Sequence, residues 1–246
     1  MSRGIYKAVF ALVIAAAIIV GFWGWQSQNQ EEPKPATTQN SPIEKEIPPP
    51  APEPVENPTA IQLKVPFTAQ APTANWDELH NEACEEASAI MAHAYFNNIA
   101  SLPPAYVESE ISKLTVWQRS NYGYNLSITT DETAEMIEAN YNLETEIIDI
   151  SEQAIKEALA QDKLVIVPAQ GQMLGNPNFT PPGPVYHMFV ITGYDETEFI
   201  TNDPGTRKGE NYRYTYETIF AATGNYDHGS KQMDLTDKRI IIVSKN

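Results

Sequence analysis

Cysteine is almost absent from this sequence: Cys84 is the single one among 246 residues. An internal disulfide and any zinc site built on two cysteines are thereby excluded, and the thiol is left as structural, reactive or part of a mixed-ligand site. Positive charge is scarce too. Sixteen Lys and Arg stand against 32 Asp and Glu, giving a formal net charge of −16. Such a surface repels phosphate backbones, and no basic patch stands out, which argues against nucleic acid as a partner. No internal repeat is present either. What the chain does have is a long apolar run, a proline-rich stretch, and then a region of ordinary globular texture.

The apolar run is "AVFALVIAAAIIVGFWGW", residues 8–25, free of any charge. As a helix it extends roughly 27 Å, close to the thickness of a bilayer's hydrocarbon core, so it is expected to span a membrane. Arg3 and Lys7 precede it while Glu31 and Glu32 follow it, which predicts a cytoplasmic N-terminus (1–7) and everything downstream outside the cytoplasm. Phe22, Trp23 and Trp25 fall where an interfacial aromatic belt is expected. Bulky aromatics also leave no good small-x-small cleavage site, favouring an uncleaved anchor over a signal peptide. Residues 26–60 are polar and proline-rich and read as an extended spacer. A single domain, residues 61–246, remains, and it is long enough to bury a core.

Within that domain the pattern predicts helices over Glu82–Phe96, Thr129–Asn140 and Ser151–Asp162, the second opening on Thr and Asp capping candidates. Strands are predicted at "LVIVPA" (164–169), "YHMFVITGY" (186–194), "EFITNDP" (198–204) and "RIIIVS" (239–244). Helices first and then mainly consecutive strands point to an α+β fold.

Cys84 opens the first of these helices, where free N–H groups and the helix dipole favour a thiolate. Glu85 and Glu86 follow at once, and their charge opposes ionisation unless both face solvent. A small buried core cysteine is the competing reading. A catalytic thiol needs a base. His93 lies nine residues on and faces the opposite side of the helix, His228 sits in polar "NYDHGS", and His80 stands four residues before Cys84. A metal site on His80 and Cys84 has too few convergent ligands, so no metal or other cofactor is implied. His187 opens an apolar strand, where a polar ring needs a partner. If the "GYDETE" turn centres on Asp195, an antiparallel hairpin sets Asp203 opposite His187, and the acid can fix the ring's tautomer and orientation.

These segments, "VPFTAQAP", "NEACEEASAIMAHAYF", "YHMFVITGYD" and "ITNDPG", resemble in order the motifs of papain-like cysteine peptidases that process bacteriocin double-glycine leaders, and of their stand-alone relatives. The resemblance covers Val65 to Pro204. It implies a papain-like fold with N-terminal helices packed on an antiparallel sheet, Cys84 as nucleophile, His187 as general base and acid, and Asp203 as orienter. Gln70 is implied as an oxyanion-hole donor beside the backbone N–H of Cys84. Glu85 stands where the leader-processing members have Gly, so the match leans to the stand-alone relatives. The Gly- and Pro-rich segment 171–185 is either a substrate-side loop or a plain surface excursion. Two function classes follow: a membrane-anchored, extracytoplasmic peptidase acting on a peptide or protein substrate through an acyl-enzyme, or a catalytically silent binding module on a stalk.

Overall fold

The structure, a computed structural model, describes residues 57–246. The expected membrane span and most of the spacer lie outside the described residues. Among the described residues no helix is long and apolar enough to cross a membrane.

After a short β1 (Ile61–Gln62) come four helices: α1 (Glu78–Asn81), α2 (Cys84–Phe96), α3 (Pro104–Asn121) and α4 (Thr130–Tyr141). Strand β2 (Leu143–Asp149) leads into α5 (Glu152–Ala160) and β3 (Leu164–Ala169). A one-turn α6 (Gly171–Leu174) precedes β4 (His187–Tyr194), β5 (Glu198–Asn202) and β6 (Tyr212–Thr215). The chain closes with α7 (Tyr216–Ala222), β7 (Asn225–Asp227), β8 (Gln232–Asp234) and β9 (Arg239–Lys245).

The helix starts are chemically encoded. Thr129 and Glu132 form a reciprocal capping box at α4, and the Ser151 hydroxyl accepts from Ala154 N–H at α5. Helix α3, absent from the pattern-based expectation, opens with Pro104 at its first position and buries Val107, Ile111, Leu114, Thr115 and Gln118 along one stripe.

The main sheet runs β2-β9-β3-β4-β5-β6, antiparallel throughout, with β1 also pairing to β4. Its central strands are buried on both faces, which explains why "LVIVPA" and "HMFVITGY" lack the alternation of a half-exposed strand. Leu164, Ile166, Met188, Val190, Ile241 and Val243 join the core under α2, α3 and α4. Their neighbours in sequence, among them Val165, Val167, Phe189 and Ile242, join a second core with Ile155 and Leu159 of α5 and Ile219 of α7. The N-terminal helices pack on the antiparallel sheet as the resemblance implies, and α5 and α7 cover its other face.

Candidate active site

The β4–β5 hairpin sets the first two site residues. Near the turn, Tyr194 pairs with Phe199 and Gly193 with Ile200, whereas beyond it Ile191 pairs with Thr201 and Val190 with Asn202. Thr192 is the extra residue, a β-bulge. The register is thus not the one predicted from a turn centred on Asp195. Continuing the far register places Asp203 level with Phe189, diagonal to His187 on the same face of the sheet. Without the bulge, the turn's own register would set Asp203 level with Val190, on the opposite face. The bulge is held from outside: Leu63 N–H donates to the Thr192 carbonyl at 2.8 Å, and β1 passes so close that a Cβ on Gly193 would lie 2.3 Å from Ile61 O.

His187 and Asp203 are both buried, and Nε2 of the ring stands 2.7 Å from Oδ1 of the acid. Burial by itself would raise the Asp203 carboxyl, but the His187 ring, the Tyr214 hydroxyl donating at 2.5 Å and Gly205 N–H donating at 2.9 Å outweigh it and hold Asp203 below its ordinary range. An ionised carboxylate only accepts, so Nε2 carries a proton and Nδ1 is the nitrogen left for chemistry. Asn176 donates to Tyr214 Oη at 2.8 Å and reaches Asp203 at 3.4 Å, while Phe179 packs edge-on to the His187 ring. Asn176, Phe179, Tyr214 and Gly205 escaped the sequence reading. The Gly- and Pro-rich composition of 171–185 was the available signal for the first two, and Pro177, Thr180 and Pro184 of that segment line the cleft beside His187.

Cys84 is the first residue of α2, which no side chain caps. It is 3% exposed, and Glu85 and Glu86 are each 1% exposed, so neither carboxyl faces solvent. The two acids sit in the helix's first turn, where the dipole favours them. The thiol donates to Glu85 Oε2 at 3.0 Å, and Ile128 N–H donates to Glu85 Oε1 at 2.9 Å. Burial, then the Glu85 charge and its hydrogen bond, push the thiol well above its ordinary range. Burial pushes Glu85 up to about 7, and burial followed by the Glu85 charge raises Glu86 well above its ordinary range. The thiol lies in the core that contains Tyr186, whereas His187 packs with Phe179 and Phe189. The hydrogen bond of Cys84 thus goes to Glu85 and not to His187.

Gln70 lines the same cleft as Tyr186 and His187, and Gln70 N–H donates to Pro204 O at 2.9 Å, fastening its loop beside Asp203. Its side-chain amide donates to the carbonyls of His80 (2.8 Å) and Asn81 (3.0 Å), the groups at the end of α1, so both N–H bonds needed for an oxyanion are engaged elsewhere. His80 does not approach the thiol. Its ring bridges Asp77 Oδ1 (2.7 Å) and Glu108 Oε2 (2.8 Å), and although burial lowers its pKa, these two carboxylates outweigh the effect and raise it. His93 stacks on Tyr141, and the exposed His228 meets Glu132.

The cleft has a volume of roughly 680 Å³. One side carries Gln70, Trp76 and Glu82, and the rest comes from segment 177–184, the start of β4 and the loop after Asp203. The profile of the Peptidase_C39 like family matches residues 62–233. No curated protein matches the sequence. Among solved structures, the fold is similar to the crystal structure of a C39-like peptidase from Bacillus anthracis, at 14% identity and a TM-score of 0.50, covering 76% of this chain and 98% of that one. The fold, the cleft and the family profile agree, and the chain belongs to the Peptidase_C39 like family, a relative of the papain-like cysteine peptidases.

Proposed function

We propose that this protein is a membrane-anchored cysteine peptidase that hydrolyses a peptide bond outside the cytoplasm through a thiol acyl-enzyme. The observation that carries the reading is the buried His187–Asp203 pair, which leaves Nδ1 for proton transfer at the edge of a cleft next to the N-terminus of α2. The chemistry starts with the thiol leaving Glu85 and giving its proton to Nδ1 of His187. Sγ attacks the scissile carbonyl, the C–N bond breaks, and His187 returns the proton to the departing amine. A water then loses a proton to His187 and splits the thioester, releasing the carboxylic acid and the thiol. Asp203 holds the ring in orientation throughout. In this reaction the backbone N–H of Cys84 supplies one oxyanion donor, and Gln70 supplies a second once its amide moves off the α1 carbonyls.

Anchoring rests on residues 8–25, and retention of the full chain in carbonate-washed membranes tests it. Hydrolysis of a fluorogenic peptide library by the full-length protein tests the activity. We expect Cys84→Ala and His187→Ala each to lower kcat/KM by about a thousandfold or more. Turnover that survives Cys84→Ala removes the reading.

A second reading, a silent binding module on a stalk, draws on the buried thiol bonded to Glu85. It predicts peptide binding without turnover and a Cys84 that resists alkylation at every pH at which the protein is folded.

A further inference from the structure

The loop between β5 and β6 does more than supply Asp203. Asp203 N–H donates to Gly209 O at 3.0 Å and Gly209 N–H to Thr206 O at 3.2 Å, so the loop is drawn shut on itself. Its closure is tight, since a Cβ on Gly209 would fall 1.7 Å from the Asp203 carbonyl oxygen. The chain also presses on the catalytic ring: a Cβ on Gly205 would lie 2.8 Å from Cε1 of His187. The Thr206 hydroxyl accepts from Lys208 N–H at 3.2 Å and steadies the crown. Arg207 and Lys208 stand on that crown, exposed, and both line the cleft.

The two cations stand out by their place: among the described residues no other Lys or Arg lines this cleft. In a chain of net charge −16, Lys113, Lys156, Arg213 and Arg239 have carboxylate partners, and the other described Lys and Arg, spread over the surface, have none. Arg207 and Lys208 form no ion pair among the described residues, although acids outnumber bases two to one. Glu82, among the described residues the single carboxylate lining the cleft, accepts from Ser127 Oγ at 3.0 Å. Glu210, just beyond the loop, lines a separate groove with Gln62 and Asn211. Trp76, 39% exposed, also lines the cleft and offers a flat apolar surface.

We propose that this cleft selects peptides bearing a carboxylate side chain within about three residues of the scissile bond, read by Arg207 and Lys208. An acidic surface repels an acidic peptide everywhere else, so the pair concentrates discrimination at the site. The inference rests on the cleft being the peptide site of the proposed peptidase. Two arms of one experiment keep the claims separate. In the first, the full-length protein hydrolyses matched fluorogenic peptides carrying Glu, Gln or Lys at each position flanking the bond. Glu peptides are expected to exceed their Gln counterparts in kcat/KM by about three- to tenfold at low salt, since two exposed pairs are each worth little. The preference shrinks with added salt and reverses toward Lys peptides in the Arg207→Glu/Lys208→Glu variant. In the second arm, binding of the same labelled peptides to Cys84→Ala is followed by fluorescence anisotropy. Hydrolysis without charge preference overturns the inference and leaves the peptidase standing. Acid-selective binding that the double variant reverses, without hydrolysis by the wild type, supports the subsite and removes the peptidase. No charge selectivity in either arm overturns the subsite.

Discussion

In the buried pair of Cys84 and Glu85, the carboxylate stabilises S–H over S⁻, so the resting thiol is held neutral by the residue next to it. The same carboxyl couples to stability. Burial takes Glu85 from an ordinary 4.5 up to about 7, so between these values the folded state keeps a proton that the unfolded chain has released. Stability therefore falls as pH rises from about 4.5 to 7. Glu86, also raised by burial and then by Glu85, adds loss in the same direction. Asp203 has the opposite sign: held below its ordinary 3.8, it adds stability above that value and loses it as pH falls through the folded one. Urea unfolding at pH 5, 6, 7 and 8 checks this, with Glu85→Gln expected to flatten much of the decline; equal slopes in variant and wild type would refute it. The sequence raised the Glu85 question and could not answer it. That two acids in a helix's first turn are buried depends on Gln118 of α3, Ile128 and Tyr186, which lie far along the chain.

Among the elements, the hairpin shows what a pattern can and cannot carry. Strands β3, β4, β5 and β9, the His187–Asp203 proximity and the capped helices α4 and α5 were legible, because apolar runs and caps are local properties, whereas β1, β2, β6, β7 and β8 were missed. The bulge at Thr192 was not, because it is specified by β1 lying on Gly193 from a distant part of the chain. The predicted register was off by two residues, an even shift, and so kept the correct face. Helix α3 was missed: its Pro104 start and its apolar stripe were signals in the sequence, but the polar residues between masked them. Gly193→Ala is expected to force β1 away from β4 and cost about 2 kcal/mol, with hydrolysis falling alongside as Asp203 leaves the His187 face. Thermal unfolding with parallel rate measurement checks this, and an unchanged Tm would contradict the role given to the close approach.

For the whole molecule, the order of the motifs pointed to the family, and the profile match over residues 62–233 agrees. Burial of both sheet faces was foreshadowed by the near-continuous apolar strands, but the helix pattern alone did not reveal that α5 and α7 cover the second face. Gln70 was assigned through the resemblance, and only the three-dimensional packing shows its amide engaged by α1. The proposed activity requires the thiol to exchange Glu85 for His187 when a peptide enters the cleft. Labelling of the full-length protein by a peptide-based, thiol-directed acylating probe, read by intact mass, tests that requirement most directly. The account predicts one adduct on Cys84 that forms in the native protein, is lost in His187→Ala and forms faster in Glu85→Gln. A Cys84 that stays unlabelled when native, in wild type and Glu85→Gln alike, yet reacts once the protein is unfolded, would contradict it.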